Sequence, residues 1–270
     1  MENTTVTCEQ PSNFIHTAKN VDLYKLITPK LFSPDELLDM REQFYRSGYI
    51  KLPSFLSGDA LAVFREEMEH LELIASRKKF EMPGYQTPRK LSVVGGNLIK
   101  SYAPVLYSLY HHYALRSCVE QLTGRRIYDC THPDEYMVAN FLHNSGDTHG
   151  WHLDDPAYAL IIFAECPQKN GGGEVEFISN WLDICRRKQC QPDSNIQDLI
   201  AWAEENGMVD RYTHNSGDAY LLRADLNLHR VCPLKSSGER RSVVNLAFQT
   251  TSIADYGLTA NLLYGLPDVE

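Results

Sequence analysis

Nowhere in the 270 residues does an uninterrupted apolar run approach the length of a membrane span. The best, Tyr158-Ala159-Leu160-Ile161-Ile162-Phe163-Ala164, has the length of a buried strand. The start, Met1-Glu2-Asn3-Thr4-Thr5-Val6-Thr7-Cys8-Glu9, carries neither a basic leader region nor an apolar signal core, so a cytoplasmic location is the expectation. Cations are the minority: 26 Lys and Arg stand against 35 Asp and Glu, and the net charge of −9 argues against a nucleic-acid or anionic-membrane partner. Seven cysteines, odd in number and scattered (8, 118, 130, 166, 185, 190, 232), fit reduced thiols better than a disulfide framework. Cys185 and Cys190 lack the second pair that a zinc site needs. Repeats and low-complexity tracts are missing too. Gly171-Gly172-Gly173 precedes a strand pattern and no Lys-Ser/Thr, which excludes a phosphate loop.

What is present reads as helices first and strands later. An apolar content of 43% is ordinary for a soluble globular chain, and the length allows one substantial core. Residues 1–20 are polar and without period, a loose arm; 21–270 form a single domain, helical over about 33–124 and barrel over about 125–255. Ser33-Pro34-Asp35-Glu36 is a capping box opening a helix that stops at Gly48, and Tyr49–Pro53 reads as a short strand. A second helix starts near Ser57 or Asp59 and turns Arg65, Glu66, Glu67, Glu69 and Lys78 outward. Arg89–Val94 is expected as a strand within a Gly/Pro-rich stretch, and Leu98–Leu122 as helix broken before Pro104 and ended at Gly124. From Ile127 the period becomes two. Glu135, Met137, Ala139 and Phe141 then share a side, and a glutamate in such a row either faces outward or contacts a ligand, because burying it unpaired is costly. Residues 181–207 read as a charged helical insertion. The sum is an α+β chain whose strands form a jelly-roll barrel with helices packed outside.

The chemistry concentrates in Asp147-Thr148-His149-Gly150-Trp151-His152-Leu153-Asp154-Asp155-Pro156. A strand alternates sides, so His152 and Asp154 point the same way, and His229 on a neighbouring strand would complete a face of two imidazoles and one carboxylate. That set suits iron(II) and leaves positions open for a co-substrate and oxygen. H-x-D alone is common; the second half of the pattern gives it weight. Arg241 opens Ser242-Val243-Val244-Asn245-Leu246-Ala247-Phe248, and a keto acid that chelates the metal at one end needs a fixed cation for its other carboxylate. A non-haem iron oxygenase follows.

The set His152, Asp154, His229 and Arg241 resembles the iron(II)/2-oxoglutarate-dependent oxygenase superfamily, whose fold is a double-stranded β-helix. A closer likeness is to the radical halogenases of free amino acids, best known for lysine. It is carried by Asp147–His152, Tyr158–Ile161 and Ser216–Arg223 through Leu228–Arg230, and covers about two thirds of the chain. In those halogenases glycine replaces the carboxylate ligand and chloride binds there; Asp154 stands at that position here, so the likeness implies a hydroxylating relative. It also implies that Arg89 and His149 hold the substrate's carboxylate, and that Glu135, Asp155 and Asn245 meet its side-chain amine, which turns the open reading of Glu135 towards function. Ala247 replaces an expected threonine, and Tyr264 is the candidate for an expected C-terminal aromatic residue. These two positions keep ornithine and arginine open beside lysine. The implied reaction uses iron(II), 2-oxoglutarate and oxygen to hydroxylate a free basic L-amino acid, lysine first, at an unactivated carbon. Desaturation is the alternative at the same site, and a metal-binding barrel that senses a small ligand is the alternative of another class.

Overall fold

In a computed structural model, which describes residues 32–56, 58–253, 256–257 and 259–264, the first helix opens as its sequence dictates. The expected arm at 1–20 lies outside the described residues. Helix α1 (Pro34–Ser47) is capped by the Ser33 hydroxyl, which accepts from the Glu36 amide, while the Glu36 carboxylate accepts from the Ser33 amide. Gly48 ends it in the left-handed region (φ 68), where a Cβ would also run into the Asn227 side chain at 2.2 Å. Strand β1 (Tyr49–Leu52) follows, then α2 (Gly58–Leu73), which buries Ala60, Phe64, Met68 and Leu71.

Two expectations fail here. Glu67 does not face solvent: it is buried, and its carboxylate accepts from the amides of Val105 and Leu106 at 2.9 and 2.7 Å. Those amides belong to the unsatisfied first turn of α4 (Pro104–His111), so α2 caps α4 through an anion that one-helix periodicity cannot reveal. Lys78 is not helical either. It lies in β2 (Ser76–Met82), an edge strand paired antiparallel with β3 (Thr87–Gly95). The expected long helix is three: α3 (Gly96–Tyr102), α4, and α5 (Tyr113–Thr123), which ends at left-handed Gly124.

The remaining strands are β4 (Tyr128–Asp129), β5 (Met137–Leu142), β6 (Thr148–His152), β7 (Tyr158–Glu165), β8 (Val175–Ile178), β9 (Val209–Tyr212), β10 (Ala219–Arg223), β11 (Leu228–Val231) and β12 (Arg241–Gln249). They join in one antiparallel sheet, ordered β1-β10-β7-β12-β5-β3-β6-β11-β8-β9, with β2 added on β3 and β4 on β12. The sheet curls at the β3–β6 seam, where Arg89 pairs with His149 and Lys90 with Thr148. The second layer thus folds over the first in the expected jelly roll.

The two faces of this sheet differ by strand parity. Outward, Met137, Ala139 and Phe141 of β5, Leu160 and Ile162 of β7, and Val244, Leu246 and Phe248 of β12 pack on α2, α4 and α5. Each fully buried side chain of this size contributes roughly 1.5–3 kcal/mol. Inward, Ala159, Ile161, Phe163, Tyr220, Leu222 and Val243 line the barrel. Glu135 therefore does not share a row with Met137, Ala139 and Phe141. It precedes β5, in the turn before the strand begins, and lines the interior pocket with Val138 and Asn140. The insertion forms α6 (Trp181–Lys188) and α7 (Gln197–Glu205), whose Trp181, Ile184, Ile196 and Ile200 cluster with Trp151 and Leu228. A short α8 (Thr259–Tyr264) closes the described chain against the pocket. No helix among the described residues is long and apolar enough to cross a membrane.

Candidate metal centre

Strands β6 and β11 are neighbours, and their register sets His229 directly across from His152. Each imidazole is oriented by its own strand. Nδ1 of His152 donates to the Gly150 carbonyl at 2.7 Å, and Nδ1 of His229 to the Asn227 carbonyl at 2.9 Å. A carbonyl only accepts, so the ring hydrogen is on Nδ1 and Nε2 presents its lone pair. Asp154 lies two residues past His152, its amide bonded to the Ala224 carbonyl at 3.1 Å. Its Oδ1 sits 3.3 Å from Nε2 of His152 and 3.6 Å from Nε2 of His229. One donor atom from each of the three lies within 4.8 Å of the others. Asn227 steadies the second imidazole's backbone: its side chain accepts from the Asn180 amide and donates to the Ser47 carbonyl, both at 2.9 Å.

Electrostatics put His152 and Asp154 in the protonation states a cation asks for. Burial lowers His152 to about 4, with His229 and Arg89 acting the same way. Burial alone would raise Asp154, but His229, His152 and Arg89 outweigh it and hold the carboxyl below its ordinary value. Neutral imidazoles and an ionised carboxylate are the forms that ligate.

The other expected site residues surround this centre. Arg89, Glu135, His149, Asp155 and Asn245 line one pocket with His152 and Asp154, and Tyr264 of α8 also faces it. His149 stacks on His152 with ring centroids 4.0 Å apart. Burial holds His149 well below its ordinary pKa, with the charges of His152 and Arg89 next. Arg89 is 1% exposed; its guanidinium donates to Thr87 Oγ1 and the Gly150 carbonyl but, among the described residues, to no carboxylate, and burial lowers it to about 10. Glu135 is raised to about 8, by burial first and then by the charges of Asp155 and Asp154. Asp155 is partly committed elsewhere, since its Oδ2 accepts from the Gly257 amide at 2.7 Å. Arg241 is not among the residues that line this pocket: it is 2% exposed, its guanidinium 5.0 Å from the Phe163 ring centroid and beside the Tyr220 hydroxyl.

Native proteins leave few buried polar atoms without a partner. Here Nε of Arg89, Oε2 of Glu135, Nε of Arg241 and Oδ1 of Asn245 are such atoms. A buried cation, a buried carboxyl and an amide lining the pocket of a His/Asp/His face, with the second buried cation, Arg241, by Phe163 and Tyr220 outside that lining, fit a metal with an anionic co-substrate and a charged substrate.

The family model HalD, described as Halogenase D, matches residues 32–265. The chain belongs to the Halogenase D family. No curated protein matches this Halogenase D family member in sequence. Among solved structures it is similar to the epimerase SnoN in complex with Fe3+, alpha ketoglutarate and nogalamycin RO, at 14% identity and TM-score 0.63, covering 88% of this chain and 93% of that one. It is also similar to HygX from Streptomyces hygroscopicus with nickel and 2-oxoglutarate bound, at 13% identity and TM-score 0.54, covering 79% and 87%. A prolyl hydroxylase from Trichoplax adhaerens matches at 13% identity and TM-score 0.55, covering 81% and 94%. At such identities the likeness establishes the fold, the double-stranded β-helix expected from the sequence. The family is one of iron- and 2-oxoglutarate-dependent oxygenases, and the His152, Asp154 and His229 face has the ligand types that class calls for.

Several pocket residues escaped sequence reasoning, among them Tyr85, Asn140 and Leu263. The turn carrying Tyr85 stood out by its Pro83-Gly84 composition, yet nothing in the chain's order says that it folds over the H-x-D stretch.

Proposed function

We propose that the protein hydroxylates a free basic L-amino acid, lysine first, at an unactivated side-chain carbon. One observation carries the reading: a single pocket beside the His/Asp/His face holds a guanidinium, Arg89, that pairs with no carboxylate and a carboxyl, Glu135, that pairs with no cation among the described residues, both buried. A molecule that brings a carboxylate and a distal ammonium together satisfies both, and each pairing is worth more in a buried site than in water.

In this reading His152, Asp154 and His229 hold the iron, and Arg241 binds the distal carboxylate of 2-oxoglutarate. Bound iron supplies an oxidant for an unactivated C–H bond, with 2-oxoglutarate and oxygen converted to succinate, carbon dioxide and the inserted oxygen atom. The chain's own residues bind and aim. Arg89 and His149 fix the α-carboxylate; Glu135, with the free oxygen of Asp155, fixes the ammonium; Asn245 offers its unpaired amide oxygen between them. Holding both ends of a flexible chain selects which carbon faces the metal. Asp154 argues for hydroxylation against halogen transfer, because it occupies the ligand position a halide would need.

The test is anaerobic loading with iron(II) and 2-oxoglutarate, then air and a mixture of the standard amino acids with ornithine, read by mass. One basic amino acid gaining a single oxygen, with matching succinate, is the expected result. A loss of two hydrogens or a gain of chlorine overturns the hydroxylase reading, and iron binding without 2-oxoglutarate consumption favours a sensing barrel.

A further inference from the structure

Tyr85 is a pocket residue with one bond made and one to give. Its hydroxyl accepts a hydrogen bond from the Leu153 amide at 3.4 Å, which stations it over the peptide between His152 and Asp154. A tyrosine hydroxyl is both acceptor and donor. Its own hydrogen meets no acceptor among the described residues, although it lies in the pocket that Arg89 and His149 also line. Arg89, whose Nε is without a partner among the described residues, lines the same pocket.

The loop that carries Tyr85 is built to stay put, and the helical insertion does the holding. The turn between β2 and β3 is closed by the Gln86 amide donating to the Met82 carbonyl at 2.9 Å. Gln197, first residue of α7, donates its side-chain amide to the carbonyls of both Tyr85 and Gln86, at 3.3 Å each. Gly84 (φ +82) packs where a Cβ would stand 2.9 Å from the Asp193 carbonyl. The segment carrying Asp193 is tied to α6 by the Trp181 indole, which donates to the Pro192 carbonyl at 2.8 Å. Tyr85 itself packs against the apolar cluster that joins Trp151 of β6 to Trp181 and Ile196 of the insertion. An apolar body is thereby clamped while the polar tip reaches the site.

We propose that Tyr85 donates its hydroxyl hydrogen to the α-carboxylate of the bound amino acid beside Arg89, and that the α6–α7 insertion positions it for that bond. This rests on the free-amino-acid reading above and adds to it a third donor for the acid end. It also gives a task to residues 181–207, which otherwise only cover the barrel.

The experiment compares the wild type with Tyr85→Phe and Gln197→Ala, each loaded anaerobically with iron(II) and 2-oxoglutarate. Binding of lysine and of lysinamide, which has the ammonium but no carboxylate, is followed by the change in the metal-to-co-substrate absorption band and by calorimetry. Losing a charge-assisted bond should weaken lysine binding to Tyr85→Phe about 10-fold or more, while lysinamide binds both proteins alike. Gln197→Ala should show a smaller loss with the same selectivity for the acid. Equal weakening of lysine and lysinamide, or no weakening of either, overturns the proposal. So does a loss confined to iron affinity, which would make Tyr85 a partner of Asp154. If the wild type binds no free amino acid of the panel, the parent reading falls first, and its failure is visible without any variant.

Discussion

Two clusters among the described residues offer metal-ligand side chains, and in only one of them has a protein cation already paired the carboxylates. His152, Asp154 and His229 converge at the pocket, with Nε of Arg89, Oε2 of Glu135 and Oδ1 of Asn245 left without partners among the described residues. Glu72, His143 and Glu165 converge at the opposite ends of β5 and β7, where α2 meets the barrel. There a protein cation has already arrived. Arg240 lies 2.7 Å from Glu72 and 3.0 Å from Glu165, Ser242 donates to Glu165 at 2.5 Å, and His143 lies 2.9 Å from Glu72. Glu165 is held below its ordinary pKa because Ser242 and Arg240 outweigh the effect of burial. The lesson is that ligand types in proximity do not make a site. Charge left without a protein partner does.

The contrast breaks first at Asp154. Asp154→Ala should cut succinate formation by more than the ~100-fold typical of losing an outer-sphere partner, whereas Glu165→Ala should leave it within about twofold. Comparable losses in both would erase the distinction.

Glu135 gives the next effect, through pH. Below its ordinary value of 4.5 the carboxyl holds its proton in folded and unfolded chains alike and stability is indifferent to it. Between there and about 8 the unfolded chain has released a proton that the folded chain keeps, so stability falls as pH rises. At neutral pH the cost is roughly 2–4 kcal/mol. Glu135→Gln should thus melt higher than the wild type at about pH 7, both free of metal and ligand, and the two should converge near pH 4. Parallel melting curves at both values would show the carboxyl to be at ease unpaired.

Asn227→Ala strands the Asn180 amide and the Ser47 carbonyl, an expected destabilisation of ~1–3 kcal/mol, with iron affinity lowered about tenfold through the His229 backbone. Calorimetry and metal titration check both halves. The smallest change belongs to Arg240→Ala, since that side chain is 46% exposed: at most about 1 kcal/mol. Metal content should remain one iron per chain, and a second equivalent in either protein would promote the Glu72 cluster to a site.

Much of this was legible in the residue order, and what was not has a common cause. The Ser33/Glu36 box, the stop at Gly48 and the break at Pro104 are local signals, each complete within a few residues. The His152/Asp154 pair was readable because strand alternation alone aims both side chains, and His229 and Arg241 because the pattern recurs on later strands. Glu67 was misread because its partners are amides 38 and 39 residues away. β2 escaped because an edge strand bearing Arg77, Lys78 and Lys79 has the polarity of a helix surface. Glu135 was assigned a row it does not share, since parity counts only once the strand has begun, at Met137. The backbone carbonyls behind both imidazoles, and Tyr85 above them, depend on how segments meet in space.

The two imidazoles face each other across a ladder, so the spacing between strands fixes their separation. Asp154 hangs one step beyond that ladder, anchored by a main-chain bond to Ala224 that any side chain would permit. On the hydroxylase reading proposed above, the residue that sets oxygen insertion against halogen transfer is therefore a tip carried on an otherwise rigid bracket. On that same reading, exchange at this one position would leave untouched the other walls that line the pocket.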